Sequence, residues 1–199
     1  MMRKLTILVD MDDVLNNLCQ RWVEELNARH NTTVAYADIN DWDICKAFQG
    51  IAEQDVFAPL FEDAFWETLS PLPKSVEILH QLIADGHTVK VVTASYFETV
   101  PAKMKWLFRK YPFLTWDDVI VAKDKQMIHG DVLIDDAPHN LEGGDYEKIL
   151  FSQPHNKGYD ATMNNMWRVS GWEEISGVIS AIAKFWKELE KGRKMLSNS

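Results

Sequence analysis

Leu5 to Val9 is a continuous, largely β-branched apolar run, which predicts a strand buried on both faces. From Leu15 the pattern lengthens to a helical period. Leu18, Cys19, Trp22, Val23 and Leu26 share one face, with Asn16, Gln20, Arg21, Glu24 and Glu25 between them. Residues 31–70 keep only short helical patterns, around Cys45–Gly50 and Glu53–Phe61, and no convincing strand. After Pro71 and Pro73 the alternation becomes regular. Val76, Leu79, Leu82 and Ile83 form a helix face closed by Gly86, and Thr88 to Val92 reads as a strand ending at Thr93. A further helix carries Met104, Leu107, Phe108 and Tyr111, with Thr99 as its N-cap and Pro101 near its first turn. Short buried strands are expected at Val119–Ala122, Val132–Ile134 and Lys148–Phe151. The last helix starts near Trp172 and buries Ile175, Val178, Ile179, Ile182, Phe185, Trp186 and Leu189; the polar tail after Lys191 is expected to fray.

Strands alternating with helices of these lengths predict an α/β fold, a parallel sheet covered by helices on both faces. The stretch 15–70 interrupts the alternation after the first strand. It is expected to be a small helical cap inserted into a core made of residues 1–14 and 71–199, with Ser70–Pro73 as the return hinge.

In open α/β sheets the ligand crevice lies outside the carboxyl ends of the strands. The expected strand ends carry Asp10 and Asp12, then Thr93, then Lys123 and Lys125, then Asp135 and Asp136. Carboxylates converging there cannot all stay ionised without a cation. Oxygen ligands with no His or Cys beside them in sequence favour Mg2+ over zinc. With a lysine, such an ion neutralises a phosphate that Asp10 can attack in line, while Thr93 donates to a phosphate oxygen. Each element alone has a plainer reading: an Asp-x-Asp strand end also serves glycosyl transfer or a helix cap, Thr93 a turn, and the lysines a solvated surface. The order of all four strand ends carries the case.

Composition narrows the partners. The 199 residues are 46% hydrophobic and 26% charged, which suits one ordinary domain or a core with an insertion. The net charge of −9 argues against a nucleic-acid polymer or an anionic membrane as partner. Cys19 and Cys45 lack metal-site spacing, and the apolar run at the N-terminus meets Asp10 too early for a signal peptide, so a soluble cytoplasmic protein is expected. Oligomeric state is left open.

The segments DMDDVL, VVTAS, KDK and GDVLIDD resemble motifs I to IV of the haloacid dehalogenase superfamily of phosphatases, and more narrowly those of the 5'(3')-deoxyribonucleotidases. The later segments ILFSQPHN and GWEEI are similar to that family as well, so the resemblance spans nearly the whole chain. It implies a Rossmann-like core with a small cap, and a Mg2+-dependent phosphomonoesterase acting on nucleoside monophosphates. Carried over residue by residue, it implies Asp10 as the nucleophile that forms an aspartyl-phosphate and Asp12 as general acid, then base. It places the metal on Asp10, the Asp12 backbone carbonyl and an acid of the Asp135–Asp136 pair, and the phosphate on Thr93 and Lys125. Two positions depart from the family: Asp13 stands where it usually has Gly, which is expected to serve as a helix cap, and motif II reads Thr-Ala-Ser rather than Thr-Ser-Pro.

For a nucleobase the cap is expected to offer an aromatic face, with Phe65 and Trp66 resembling an aromatic pair of the family and Phe48, Phe57 and Phe61 as further candidates. Three alternatives stay open at this point. One is the same chemistry on another small phosphorylated metabolite, another a catalytically silent nucleotide binder. The third, a receiver-type signalling domain, is disfavoured by the order Asp, Thr, Lys, Asp–Asp.

Overall fold

The computed structural model describes residues 3–197. Six parallel strands form one sheet in the order β3-β2-β1-β4-β5-β6. They are β1 (Thr6–Val9), β2 (Thr88–Thr93), β3 (Val119–Val121), β4 (Val132–Asp135), β5 (Glu147–Phe151) and β6 (Trp167–Val169). Register is set along β1, where Val9 faces Val91 on one side and Ile134 on the other. Strand order reverses between β1 and β4, and such a reversal opens a crevice at the carboxyl ends. The continuous apolar runs have the expected cause: Ile7, Leu8 and Val9, like Val132, Leu133 and Ile134, are fully buried.

Helices line the two faces unequally. Ile7, Val9, Val91 and Ile134 belong to the larger core, with side chains of α1 (Leu18–His30), α4 (Ser75–Ala84), α5 (Val100–Lys110) and α7 (Trp172–Ser197). Leu8, Val92, Leu133 and Leu150 face a smaller cluster closed by Leu141 of α6 (Pro138–Leu141) and by Tyr146, Ala161 and Met166 from turns. Between β1 and α4 lie α1, α2 (Glu53–Phe57), α3 (Asp63–Glu67) and several 3-10 turns, with no strand among them. The chain leaves the core and returns to it at one place. Asn16 bridges Pro71, the Leu72 N–H donates to the Leu15 carbonyl, and the Tyr111 hydroxyl donates to that same carbonyl.

Four local expectations change. Helix α1 starts at Leu18 rather than Leu15 because Asp13 adopts φ +56 and the Asn16 carboxamide oxygen takes the Leu18 N–H. Thr99 does not cap α5; its hydroxyl donates back to the Tyr96 carbonyl. Phe185 and Leu189 are 57% and 41% exposed, since that part of α7 runs past the residues that pack on Ile175, Ile179 and Ile182. The helix also continues through the tail expected to fray, as far as Ser197; residues 198–199 lie outside the described residues. Gly86 does close α4, at φ +87, where it donates to Ile83 while His87 donates to Leu82.

Candidate active site

Asp10 and Asp12 follow β1, Thr93 ends β2, Lys125 follows β3, Asp135 ends β4 and Asp136 follows it. The Lys125 ammonium, 1% exposed, donates to Asp10 Oδ1 and, at 2.6 Å, to Asp135 Oδ2. Lys123, its neighbour in sequence, is exposed. Asp135 is used up: its Oδ1 also accepts the Ala137 N–H at 2.9 Å, and Asn140 reaches both of its oxygens at 3.2 Å. Asp136 is not. His155 Nε2 lies 3.0 Å from Asp136 Oδ2 but is not aligned as a hydrogen bond, and Asp136 Oδ1 is buried with no partner. Oxygens of Asp10, Asp135 and Asp136 lie within 4.8 Å of one another.

Burial dominates the electrostatics. It pushes the Asp10 carboxyl up to about 7, with Asp135 and Asp12 adding and Lys125 opposing. Burial likewise raises Asp135 against Lys125, and Asp136 against His155. Lys125 is itself held above its ordinary value, because burial is outweighed by Asp10 and Asp135. One ammonium among these buried carboxylates leaves negative charge uncompensated, and the open Asp136 oxygen points to the same deficit. This oxygen-only, buried, partly unpaired donor set fits a hard divalent cation.

Asp13 has the capping role expected of it. Its carboxylate accepts the Cys19 N–H of α1 at 2.9 Å. Its left-handed backbone explains why glycine suits this position and why Asp, among the residues that tolerate it, can stand there. The cost shows in its carboxyl, which burial and Asp136 push well above the usual range.

A cavity of about 340 Å³ opens on Asp10, Asp12, Lys125 and Asp136. Its other wall comes from the helical segment, including Leu18, Trp22, Trp42 and Phe57. Trp22 meets Phe57 edge-on at 5.1 Å, and Trp42 stands edge-on between His139 and His155, 5.1 Å from each. Phe65 and Trp66, expected to face a base, are buried at 3% and 2% exposure and do not line this cavity. They pack in the core, where the Trp66 indole donates to the Leu60 carbonyl. Phe48 is buried as well, and of the aromatic candidates only Phe57 reaches the cavity. Trp22 fell within a helix face read as core, and Trp42 lay in an aperiodic Asp-Trp-Asp triplet; only its isolation from any apolar stripe marked it.

Lys103 was also missed. It is 2% exposed on α5, and its ammonium donates to Asp12 Oδ2 at 2.6 Å, Thr93 Oγ1 at 2.8 Å and the Ala94 carbonyl at 3.1 Å. The expected phosphate donor Thr93 is 1% exposed and its oxygen is engaged by this lysine. The available signal was a lysine inside an apolar stripe, four residues before Leu107.

Solved structures with this architecture place the fold in the haloacid dehalogenase-like class. A conserved haloacid dehalogenase-like protein from Agrobacterium tumefaciens matches 91% of this chain and 100% of its own, with a TM-score of 0.58 at 12% identity. A haloacid dehalogenase family hydrolase from Deinococcus radiodurans, solved with bound phosphate and sodium, matches 89% of this chain and 95% of its own, with a TM-score of 0.59 at 13% identity. The narrower assignment comes from sequence. Residues 3–186 match the model of the family described as 5' nucleotidase, deoxy (pyrimidine), cytosolic type C protein, and the chain belongs to this family of phosphoric monoester hydrolases. The 5'(3')-deoxyribonucleotidase of Bacillus subtilis is 34% identical over 86% of this chain and 96% of its own length. That of Clostridium acetobutylicum is 29% identical over 92% and 99%. No helix among the described residues is long and apolar enough to cross a membrane.

Proposed function

We propose that this chain is a Mg2+-dependent phosphomonoesterase that hydrolyses nucleoside monophosphates, as a 5'(3')-deoxyribonucleotidase. The observation that carries the reading is the buried Asp10–Asp135–Asp136 cluster beside Lys125, with one Asp136 oxygen left open. The names of the relatives support the substrate class. So do Trp22, Trp42 and Phe57 on the wall opposite the carboxylates, which a nucleobase would meet and a small sugar phosphate would not. Residues 15–70 act as the cap that supplies this wall.

The Asp10 carboxylate, the Asp12 backbone carbonyl and the open oxygen of Asp136 would hold Mg2+, with Asp135 committed to fixing Lys125. When bound, the ion supplies charge that keeps Asp10 ionised and draws electron density from the phosphoryl oxygens. Asp10 attacks phosphorus, the bond to the leaving oxygen breaks, and Asp12 delivers a proton to that oxygen. Asp12 then takes a proton from water, which attacks the aspartyl-phosphate, frees Asp10 and releases inorganic phosphate. Lys125, bonded to Asp10, meets the phosphoryl charge, and Thr93 lies behind it at the end of β2. We place this reaction in the cytoplasm, where two free cysteines persist.

The test is phosphate release from ribo- and deoxyribonucleoside monophosphates and sugar phosphates, with Mg2+ and with EDTA. Mg2+-dependent release favouring deoxynucleotides is expected. Release from sugar phosphates alone would overturn the substrate class, and binding without any release would overturn the chemistry.

A further inference from the structure

Lysine is seldom fully buried, and an ammonium withdrawn from water must find a partner for each proton. Lys103 does so: its three protons meet Asp12 Oδ2, Thr93 Oγ1 and the Ala94 carbonyl. Its ammonium also lies 5.5 Å from the centroid of the Trp66 ring, so a face of the buried aromatic pair backs the charge. Lys103 does not line the cavity, although Asp12 does. The other Asp12 oxygen accepts the Asn16 carboxamide N–H at 3.1 Å. The carboxylate is therefore gripped at both oxygens, from α5 on one side and from the turn after β1 on the other, while its side chain stays 23% exposed to the cleft.

The site thus holds two buried lysines with separate partners. Lys125 takes Asp10 and Asp135; Lys103 takes Asp12 and the end of β2. From this division we infer that Lys103 is the positioning residue of the reaction, holding the Asp12 carboxylate in the orientation from which it serves the leaving oxygen. Because it acts through Asp12 and does not face the ligand space, its effect belongs to proton delivery and not to phosphate affinity. The inference rests on Asp12 being the acid–base residue.

Leaving groups separate the two effects. A nucleoside hydroxyl is a poor leaving group and needs a proton, whereas 4-nitrophenolate leaves without one. For Lys103→Met, which keeps the apolar stem, kcat on a deoxynucleoside monophosphate should fall by about 10²-fold, within the range expected for losing general acid catalysis. In the same variant, the pre-steady-state burst of 4-nitrophenolate, which reports phosphorylation of Asp10 alone, and inhibition by inorganic phosphate should stay within about threefold, since neither depends on a proton moved by Asp12. Lys103→Arg, retaining a buried cation and donor, should recover part of the nucleotide turnover. If the Met variant does not fold, the Arg variant alone is compared with wild type and should lose the same substrate selectively. An equal loss of the nitrophenolate burst and of nucleotide turnover, with weakened phosphate inhibition, would overturn the inference and make Lys103 a phosphate-binding group. Asp12→Asn, assayed in parallel, separates the two levels. If it too shows no leaving-group dependence, the acid–base assignment itself fails; if it does and the Lys103 variants do not, only the positioning role fails.

Discussion

The two ends of the sheet treat polar groups in opposite ways. At the amino ends, Asp131 accepts Arg3 and the Thr6 N–H, each at 2.7 Å, and His87 Nδ1 accepts the Leu5 N–H at 3.1 Å. Arg3 in turn lies over the Trp186 ring. Every one of these groups is partnered by the protein itself, which is how a buried polar group is made neutral to stability. At the carboxyl ends, Asp10, Asp13, Asp135 and Asp136 are buried together, held above their ordinary carboxyl range, and one oxygen is left without a partner. The same strands deliver both arrangements. The first is closed by the chain's own partners; the second leaves crowded carboxyls and an unpaired oxygen.

That contrast can be broken most forcefully at Asp10. Asp10→Asn should lower turnover by about 10⁴-fold or more, as expected for removing a nucleophile, without lowering the melting temperature, because a neutral amide relieves the crowding. Full activity in this variant would end the assignment. Within the packed region, Trp66→Ala should cost about 3–5 kcal/mol in denaturant unfolding, a core cavity rather than a lost substrate contact. His87→Ala should cost about 1–3 kcal/mol by stranding the Leu5 N–H, with turnover unchanged. Trp42→Ala, at an exposed position beside the cleft, should leave stability nearly intact and raise KM for nucleotides by roughly three- to tenfold, the worth of one aromatic contact.

The two ends should also respond to pH with opposite sign. Burial raises the Asp10 carboxyl to about 7, so the folded protein binds more protons than the unfolded chain between the ordinary carboxylate range and that value. In metal-free buffer this contribution is complete below about pH 4 and is lost as pH rises through about 7. His87 is held below its ordinary value by burial and by Lys4, against Asp85. Its contribution is complete above about pH 6.5 and is lost as pH falls through the lowered value. Melting curves against pH, with His87→Ala weakening the acid limb and Asp10→Asn the limb near neutrality that Asp13, Asp135 and Asp136 share, check both signs. Weakening of the opposite limb in either variant would contradict the comparison.

How much of this the sequence disclosed follows from the range of each interaction. The buried strands β1, β2, β4 and β5 declare themselves because parallel strands covered on both faces must be continuous apolar runs. Strand β6 does not, since three residues with Trp167 half exposed carry no period. The acidic strand ends were legible because strand order alone brings Asp10, Asp135 and Asp136 together. Lys103 was not, because its partners lie 91 and 10 residues away and nothing local separates a buried lysine from a surface one. Phe65 and Trp66 show the converse: aromatic character in the inserted segment marked them, but only packing decides which aromatic faces the cavity and which fills the core. Trp42 had the cavity and no pattern.

The most direct measurement is calorimetric titration of Mg2+ into the metal-free protein near neutral pH, beside Asp136→Asn. The wild type should bind one ion per chain, and the variant should bind it at least about tenfold more weakly, because the donor set loses a full negative charge. Equal binding by both proteins would place the ion elsewhere, and no binding by the wild type would mean that the carboxyl ends are crowded for some other reason.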